Sequence, residues 1–145
     1  MRYINEIIIH CTATPPGMDI GVKELNAWHL ARGWKGCGYH YVVRLDGTVE
    51  RGRYSSQPGA HCSGHNAHSI GIAYVGGVDD QGRPQDTRTE AQKTALRQLI
   101  AKHVNANNIT RIRGHRDYST KACPCFDAKK EYENMAKTIL SKKIR

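Results

Sequence analysis

The run Ile4-Asn5-Glu6-Ile7-Ile8-Ile9-His10 constrains this chain more than any other segment. It is short, apolar and β-branched, and it reads as a buried strand. Ser69 to Val75 is a second such run, closed by Gly76-Gly77. Strands that are apolar on both sides must be covered on both sides, which calls for a sheet between helices. The rest of the chain supplies the cover. Val22 to Arg32 predicts a helix, with Val22, Leu25, Trp28 and His29 at helical spacing and Gly33 as its stop. Thr89 and Gln92 form a capping box before a helix whose core face is Ala91, Ala95, Leu96, Leu99, Ile100 and Val104. Asp127 caps a last helix in which Tyr132, Met135, Ala136, Ile139 and Leu140 recur at three and four residues. Tyr39 to Arg44 and Thr48 to Arg51 predict two strands of a hairpin around Asp46-Gly47. Ile109 to Arg113 predicts one more short strand. The expected fold is α/β: a single domain over residues 1–145, with a central mixed sheet of about five strands flanked by about three helices. Strand order does not follow from the pattern.

At 145 residues the chain fits one core. Its 39% hydrophobic and 24% charged content is that of a globular protein rather than a disordered one. No apolar run approaches the roughly 18 residues of a membrane span, so no membrane insertion is expected. The segment Met1 to His10 lacks the features of a signal peptide, because its apolar part is short and interrupted by Asn5 and Glu6. Synthesis in the cytoplasm is therefore expected, with any outside target reached after release or by another export route. The formal charge of +9 favours polyanionic surroundings: nucleic acid, anionic lipid or an anionic cell-wall polymer. Part of it sits in Lys142-Lys143-Ile144-Arg145, which reads as a solvated helix end. There is no zinc-finger spacing and no aromatic-basic RNA motif, so no specific nucleic-acid partner is expected. The five cysteines are odd in number and argue against a disulfide framework.

The chemistry concentrates in Gly114-His115-Arg116-Asp117-Tyr118-Ser119-Thr120-Lys121-Ala122-Cys123-Pro124. This loop holds a histidine, a lysine and a cysteine directly after a predicted strand. His10 ends another. If the two strands are neighbours, His10, His115 and Cys123 can meet. Two imidazoles and a thiolate can hold one zinc ion and leave a position open for water, whose pKa then falls to roughly 7. Lys121 can stabilise an oxyanion beside it. The residues alone leave other readings open. His10 and His115 can be partly buried structural histidines with Cys123 a core thiol, or Cys123 can be a nucleophile with a histidine base.

A longer ordered set goes further. It comprises His10-Cys11-Thr12-Ala13-Thr14-Pro15, Trp28-His29, Arg32-Gly33-Trp34, Gly38-Tyr39-His40-Tyr41, Asp46-Gly47, Arg53, Gly59-Ala60-His61, Asn66, Ser69-Ile70-Gly71-Ile72, His115, Lys121 and Ala122-Cys123-Pro124. In this order the segments resemble the zinc-dependent N-acetylmuramoyl-L-alanine amidases, and more narrowly the short phage lysozyme-type amidases that share a fold with peptidoglycan recognition proteins. The resemblance runs from about Ile4 to Leu140. It implies His10, His115 and Cys123 as ligands of one Zn2+ ion, with Tyr39 and Lys121 as the catalytic pair. It implies peptidoglycan or muropeptides as substrate, cut at the amide between N-acetylmuramic acid and L-alanine, by a monomer of endolysin type without a separate cell-wall-binding domain. A non-catalytic peptidoglycan-binding module is the alternative, although such modules typically lack a complete metal set.

The long segment Gly52 to His68 is expected to be functional for its length, and the resemblance places His61, Asn66 and His68 at the substrate cleft. His29 is expected in the core. His40 is expected to point away from Tyr39, and Cys11 away from His10, because side chains alternate along a strand. Cys37 and Cys125 depart from the resemblance, which more often has an aliphatic residue and a serine there. Cys125 is thereby a possible competitor of Cys123 for the metal.

Overall fold

A computed structural model gives the fold, and residues 2–144 are described, without the side chains of 140, 143 and 144. The described residues form five strands and three α-helices. They are β1 (Glu6–Cys11), α1 (Val22–Ala31), β2 (Tyr41–Val43), β3 (Val49–Arg51), β4 (Ser69–Tyr74), α2 (Glu90–Ala106), β5 (Arg111–Gly114) and α3 (Ala128–Ile144). Short 3₁₀ turns at Asn66–His68 and His115–Asp117 lead into β4 and out of β5. The sheet order is β3-β2-β4-β1-β5. β1 lies between β4 and β5, parallel to both, and only the β2–β3 hairpin is antiparallel. The mixed α/β sheet expected from the sequence is the one observed.

The alternation of β1 divides the molecule. Ile7, Ile9 and Cys11 face a core made with Ile70, Ile72, Tyr74, Leu96, Leu99, Ile100, Ile112 and Tyr132, so α2 and α3 cover this side. Glu6, Ile8 and His10 face the other way. That side is covered by the smaller cluster of α1 with Leu25, Ile20, Val42 and Val75, and by the long segment after β3. In register with the second face, β4 presents Ser69, Gly71 and Ala73 opposite Glu6, Ile8 and His10. These small residues leave room above the sheet. A Cβ at Gly71 would come within 2.6 Å of the His61 ring, so glycine is what admits that imidazole.

The predicted caps form. Thr89 Oγ1 accepts from Gln92 N–H at 3.0 Å, and Gln92 Oε1 accepts from Thr89 N–H at 2.9 Å. Gln92 Nε2 then donates to the carbonyls of Val43 and Val75, tying α2 to the ends of β2 and β4. Asp127 Oδ1 accepts from Lys130 N–H, as an N-cap does. The hairpin turn places Gly47 at φ +88°, and Asp46 Oδ1 accepts from Thr48 N–H.

Two expectations need correction. β2 begins at Tyr41 rather than Tyr39, because the carbonyls of Gly38 and Tyr39 are taken by Ala60 N–H and Arg53 N–H of the following segment. Trp28 is 41% exposed instead of joining the core face of α1, where Leu25 and His29, four residues apart, point inward. In α3, Tyr132 and Ala136 are buried as expected, while the Leu140 side chain lies outside the described residues.

Candidate metal centre and cleft

His10 lies near the C-terminal end of central β1, and His115 is the first residue after adjoining β5. Parallel pairing of Ile9 with Gly114 puts the two histidines side by side, with ring centroids 4.7 Å apart. The loop after His115 folds back, since Arg116 N–H donates to the Cys123 carbonyl at 2.7 Å. The nitrogen, nitrogen and sulfur donors of His10, His115 and Cys123 all lie within 4.8 Å of one another. The parallel neighbourhood that the sequence left open is thus what assembles the three.

Hydrogen bonds fix which nitrogen of His10 faces this group. Ser69 Oγ donates to the His65 carbonyl at 2.7 Å, which uses its only proton. It therefore accepts from His61 Nε2–H at 3.2 Å. His61 Nδ1 is then bare and accepts from His10 Nε2–H at 2.8 Å. The lone pair of His10 is left on Nδ1, which lies 3.8 Å from Cys123 Sγ. A ligand imidazole whose far N–H is held by a second residue is the usual metal-site arrangement.

The electrostatics agree with a cation site. Burial lowers the pKa of His10 well below the ordinary value, aided by the charges of His61, His115 and Lys121, so the ring is neutral at pH 7. Burial also lowers His61, with His40 and His115 contributing. His115 is lowered by burial and then by Lys121. Cys123 is held below the ordinary thiol value, first by a hydrogen bond from the Cys11 side chain. The Cys11 backbone N–H, 3.2 Å from Sγ, works in the same direction, as does Lys121. Two neutral imidazoles and a thiolate-prone cysteine form a donor set of the kind that zinc takes.

Cys125 is not part of the group. It sits 3.9 Å from Cys11 Sγ on the other side, and burial with Cys11 pushes its pKa up to about 12. Cys11 itself faces the α2/α3 core, as alternation requires. His29 and His40 are structural. His29 Nδ1 accepts from Gly38 N–H, and His40 Nδ1 accepts from Gly71 N–H.

The three donors line an inner pocket of about 210 Å³ together with Thr12, Ala13, Trp34, Tyr39, His61 and Lys121. It adjoins a wider cleft of about 460 Å³ bordered by Trp34, Ala60, Ser63, Asn66, Ser119 and Lys121. The Tyr39 ring lies 5.1 Å from that of His10, and burial pushes the phenol pKa up, with neighbouring Cys123 adding to the effect. Lys121 is exposed on the rim of both cavities. Asn66 accepts from the N–H groups of His61 and Cys62 through Oδ1, which shapes the wall carrying His61. His68 is not in the cleft. It turns to Glu6, with Nε2 3.1 Å from Oε1. What the sequence reading missed is the service role of Ser69 and the Cys11 N–H, neither of which has a local motif.

The chain is similar to known proteins over most of its length. The family described as N-acetylmuramoyl-L-alanine amidase matches residues 1–126. An endolysin of Klebsiella phage KP32 is 42% identical over 89% of this chain and 85% of its own length. Peptidoglycan-recognition protein SC2 of Drosophila melanogaster is 30% identical over 85% of this chain and 69% of its own. Among solved structures, the N-acetylmuramoyl-L-alanine amidase LysC from Clostridium intestinale URNW superposes with a TM-score of 0.78 at 31% identity, covering 97% of this chain and 87% of that one. With residues 1–126 matched by the family and relatives aligned over most of its length, this chain belongs to the N-acetylmuramoyl-L-alanine amidase family.

Proposed function

We propose that this protein is an endolysin-type amidase that hydrolyses the bond between the lactyl group of N-acetylmuramic acid and the L-alanine of the stem peptide, with one zinc ion held by His10 Nδ1, His115 and Cys123. The observation that carries this is the convergence of those donors at the floor of a cleft that Tyr39 and Lys121 also line. Zinc in such a site supplies Lewis acidity toward an amide carbonyl and makes water acidic enough to react near neutral pH. The protein's own residues do the rest. The hydrogen-bond series from Ser69 through His61 keeps His10 in its ligating tautomer. Tyr39, held protonated by burial, acts as a hydrogen-bond donor to the carbonyl oxygen rather than as a base. The Lys121 ammonium balances the negative charge that develops as the carbonyl becomes tetrahedral. Trp34 and Asn66, with Ala60 and Ser63, offer the wall on which a glycopeptide lies. The net reaction adds water across the amide, leaving a lactyl carboxyl group and a free L-alanine amine.

We further propose that the protein acts as a monomer on the wall polymer, reaching it after release from the cytoplasm, and that its +9 charge provides the attraction to an anionic wall. No helix among the described residues is long and apolar enough to cross a membrane. Digestion of purified peptidoglycan, followed by mass spectrometry, is expected to release stem peptides with an N-terminal alanine. Chelation is expected to stop the reaction and added zinc to restore it. Release of reducing sugar ends alone, or full activity in the His10→Ala protein, would overturn the assignment.

A further inference from the structure

A second group of metal-ligating side chains lies on the same face of the sheet. It stands four residues back along β1 from His10, about 13 Å at strand rise. Glu6, fully buried on β1, directs Oε1 at two imidazoles. His68 Nε2 is 3.1 Å from that oxygen and His65 Nδ1 is 3.7 Å from it. The three donor atoms lie within 4.8 Å of one another. The spacing is local in origin. His65 caps the 3₁₀ turn Asn66–His68 and His68 closes it, and residues three apart in such a turn eclipse, so both rings project to one side. The turn is fastened to β1 because Asn5 N–H donates to the His68 carbonyl at 3.0 Å.

Two features distinguish this group from an ordinary ion pair. The buried Nδ1 of His65 has no hydrogen-bond partner, although its ring is fixed by stacking on Tyr118 at 3.7 Å between centroids. A buried polar atom left unsatisfied is costly, and a cation between Nδ1, Nε2 and Oε1 would satisfy it. The other carboxylate oxygen is already engaged. The Tyr118 hydroxyl donates to Oε2, and Arg111 Nε stands 3.7 Å from it. Glu6 is thus oriented through Oε2, while Oε1 points at the two imidazoles, which is how outer partners orient a metal-binding carboxylate.

We propose that Glu6, His65 and His68 form a second divalent-metal site, for zinc by its two-imidazole, one-carboxylate donor set, distinct from the His10–His115–Cys123 centre. His65 and His68 are each about one-third exposed, which gives the ion a way in from solvent. The site fastens the end of the segment that carries His61 and Asn66 to the edge of β1. Its role is to brace the cleft wall, and it stands whether or not the amidase reading holds.

Metal content tests it. Chelator-stripped protein is dialysed against zinc and the bound metal is counted by mass spectrometry. The parent is expected to hold two equivalents. The His65→Asn/His68→Asn double variant, changed at partly exposed positions and checked for folding by circular dichroism, is expected to hold one. Glu6→Gln is expected to do the same. Cys123→Ser is expected to retain the second site. With cobalt as probe, the thiolate charge-transfer band of the Cys123 centre is expected in the parent and in the double variant, while the second, sulfur-free absorption appears in the parent only. The second equivalent of zinc is expected to raise the melting temperature of the parent and not of the double variant. No zinc retained in Cys123→Ser, or the same zinc content in the parent and the double variant, overturns the assignment.

Discussion

His61 Nδ1 lies 2.8 Å from His10 Nε2, and this contact decides how His10 presents itself to the centre. Removing it frees the ring to rotate or to change tautomer. His61→Ala is expected to weaken zinc affinity by roughly 10- to 100-fold, the usual cost of losing an outer partner. His61→Asn, whose amide oxygen can accept in place of Nδ1, is expected to recover part of the loss. Competition with a chromophoric chelator measures both.

Lys121 acts through charge on His10, His115 and Cys123, yet it is exposed. Lys121→Met is expected to lower kcat on a defined muropeptide by roughly 10²- to 10³-fold, as loss of an oxyanion-stabilising group does. Stability should change by no more than about 0.5 kcal/mol, because the side chain is exposed. The same variant is expected to raise the pKa of Cys123, read from the rate of alkylation of metal-free protein against pH.

Gly71 faces the His61 ring with no space for a methyl group. Gly71→Ala is expected to cost about 1–3 kcal/mol through overpacking in a buried strand. It should also weaken metal binding, since the displaced ring is the one that holds His10. Urea denaturation and the chelator assay separate the two effects.

His40 and His103 are buried, and burial pushes both down to about 4. An unfolded histidine titrates near 6.5. Between roughly pH 6.5 and pH 4 the unfolded chain takes up protons that the folded protein excludes. Stability therefore falls as pH drops through that window, and these groups leave it unchanged above about 6.5. Each contributes a slope of at most about 1.4 kcal/mol per pH unit. His10 and His61, also lowered, steepen it in metal-free protein. Urea midpoints at pH 7, 6 and 5 are expected to decline in order, with His103→Gln showing the shallower slope.

Much of this was legible in the sequence because it is local. The triple isoleucine of β1, the Thr89–Gln92 box and the Asp46-Gly47 turn each declare themselves within a few residues, and each is found in place. Helix α1 was harder to read. Its pattern of Val22, Leu25, Trp28 and His29 fits a wide stripe, but the element is short and covers little sheet, so only Leu25 and His29 are fully buried. The resemblance places His68 at the cleft with its neighbours, whereas the 3₁₀ turn directs it to Glu6. His61 and Asn66 face the pocket, while His68 turns back to Glu6. No spacing rule announces Glu6 as its partner, because the two are brought together only by the pairing of β1 with β4. Strand order is non-local in the same sense, and so is the Ser69–His61–His10 series.

The donors of the first centre are separated by up to 113 residues along the chain. A zinc finger gathers its ligands from one short segment, so metal and fold arrive together. Here His10 leaves the ribosome long before Cys123, and no chain that ends before Cys123 offers all three. The centre can close only after β5 has docked beside β1 and the final loop has turned back. Any metal held there would accordingly be taken up only after Cys123 has been made, and a chain that ends before it lacks the full donor set.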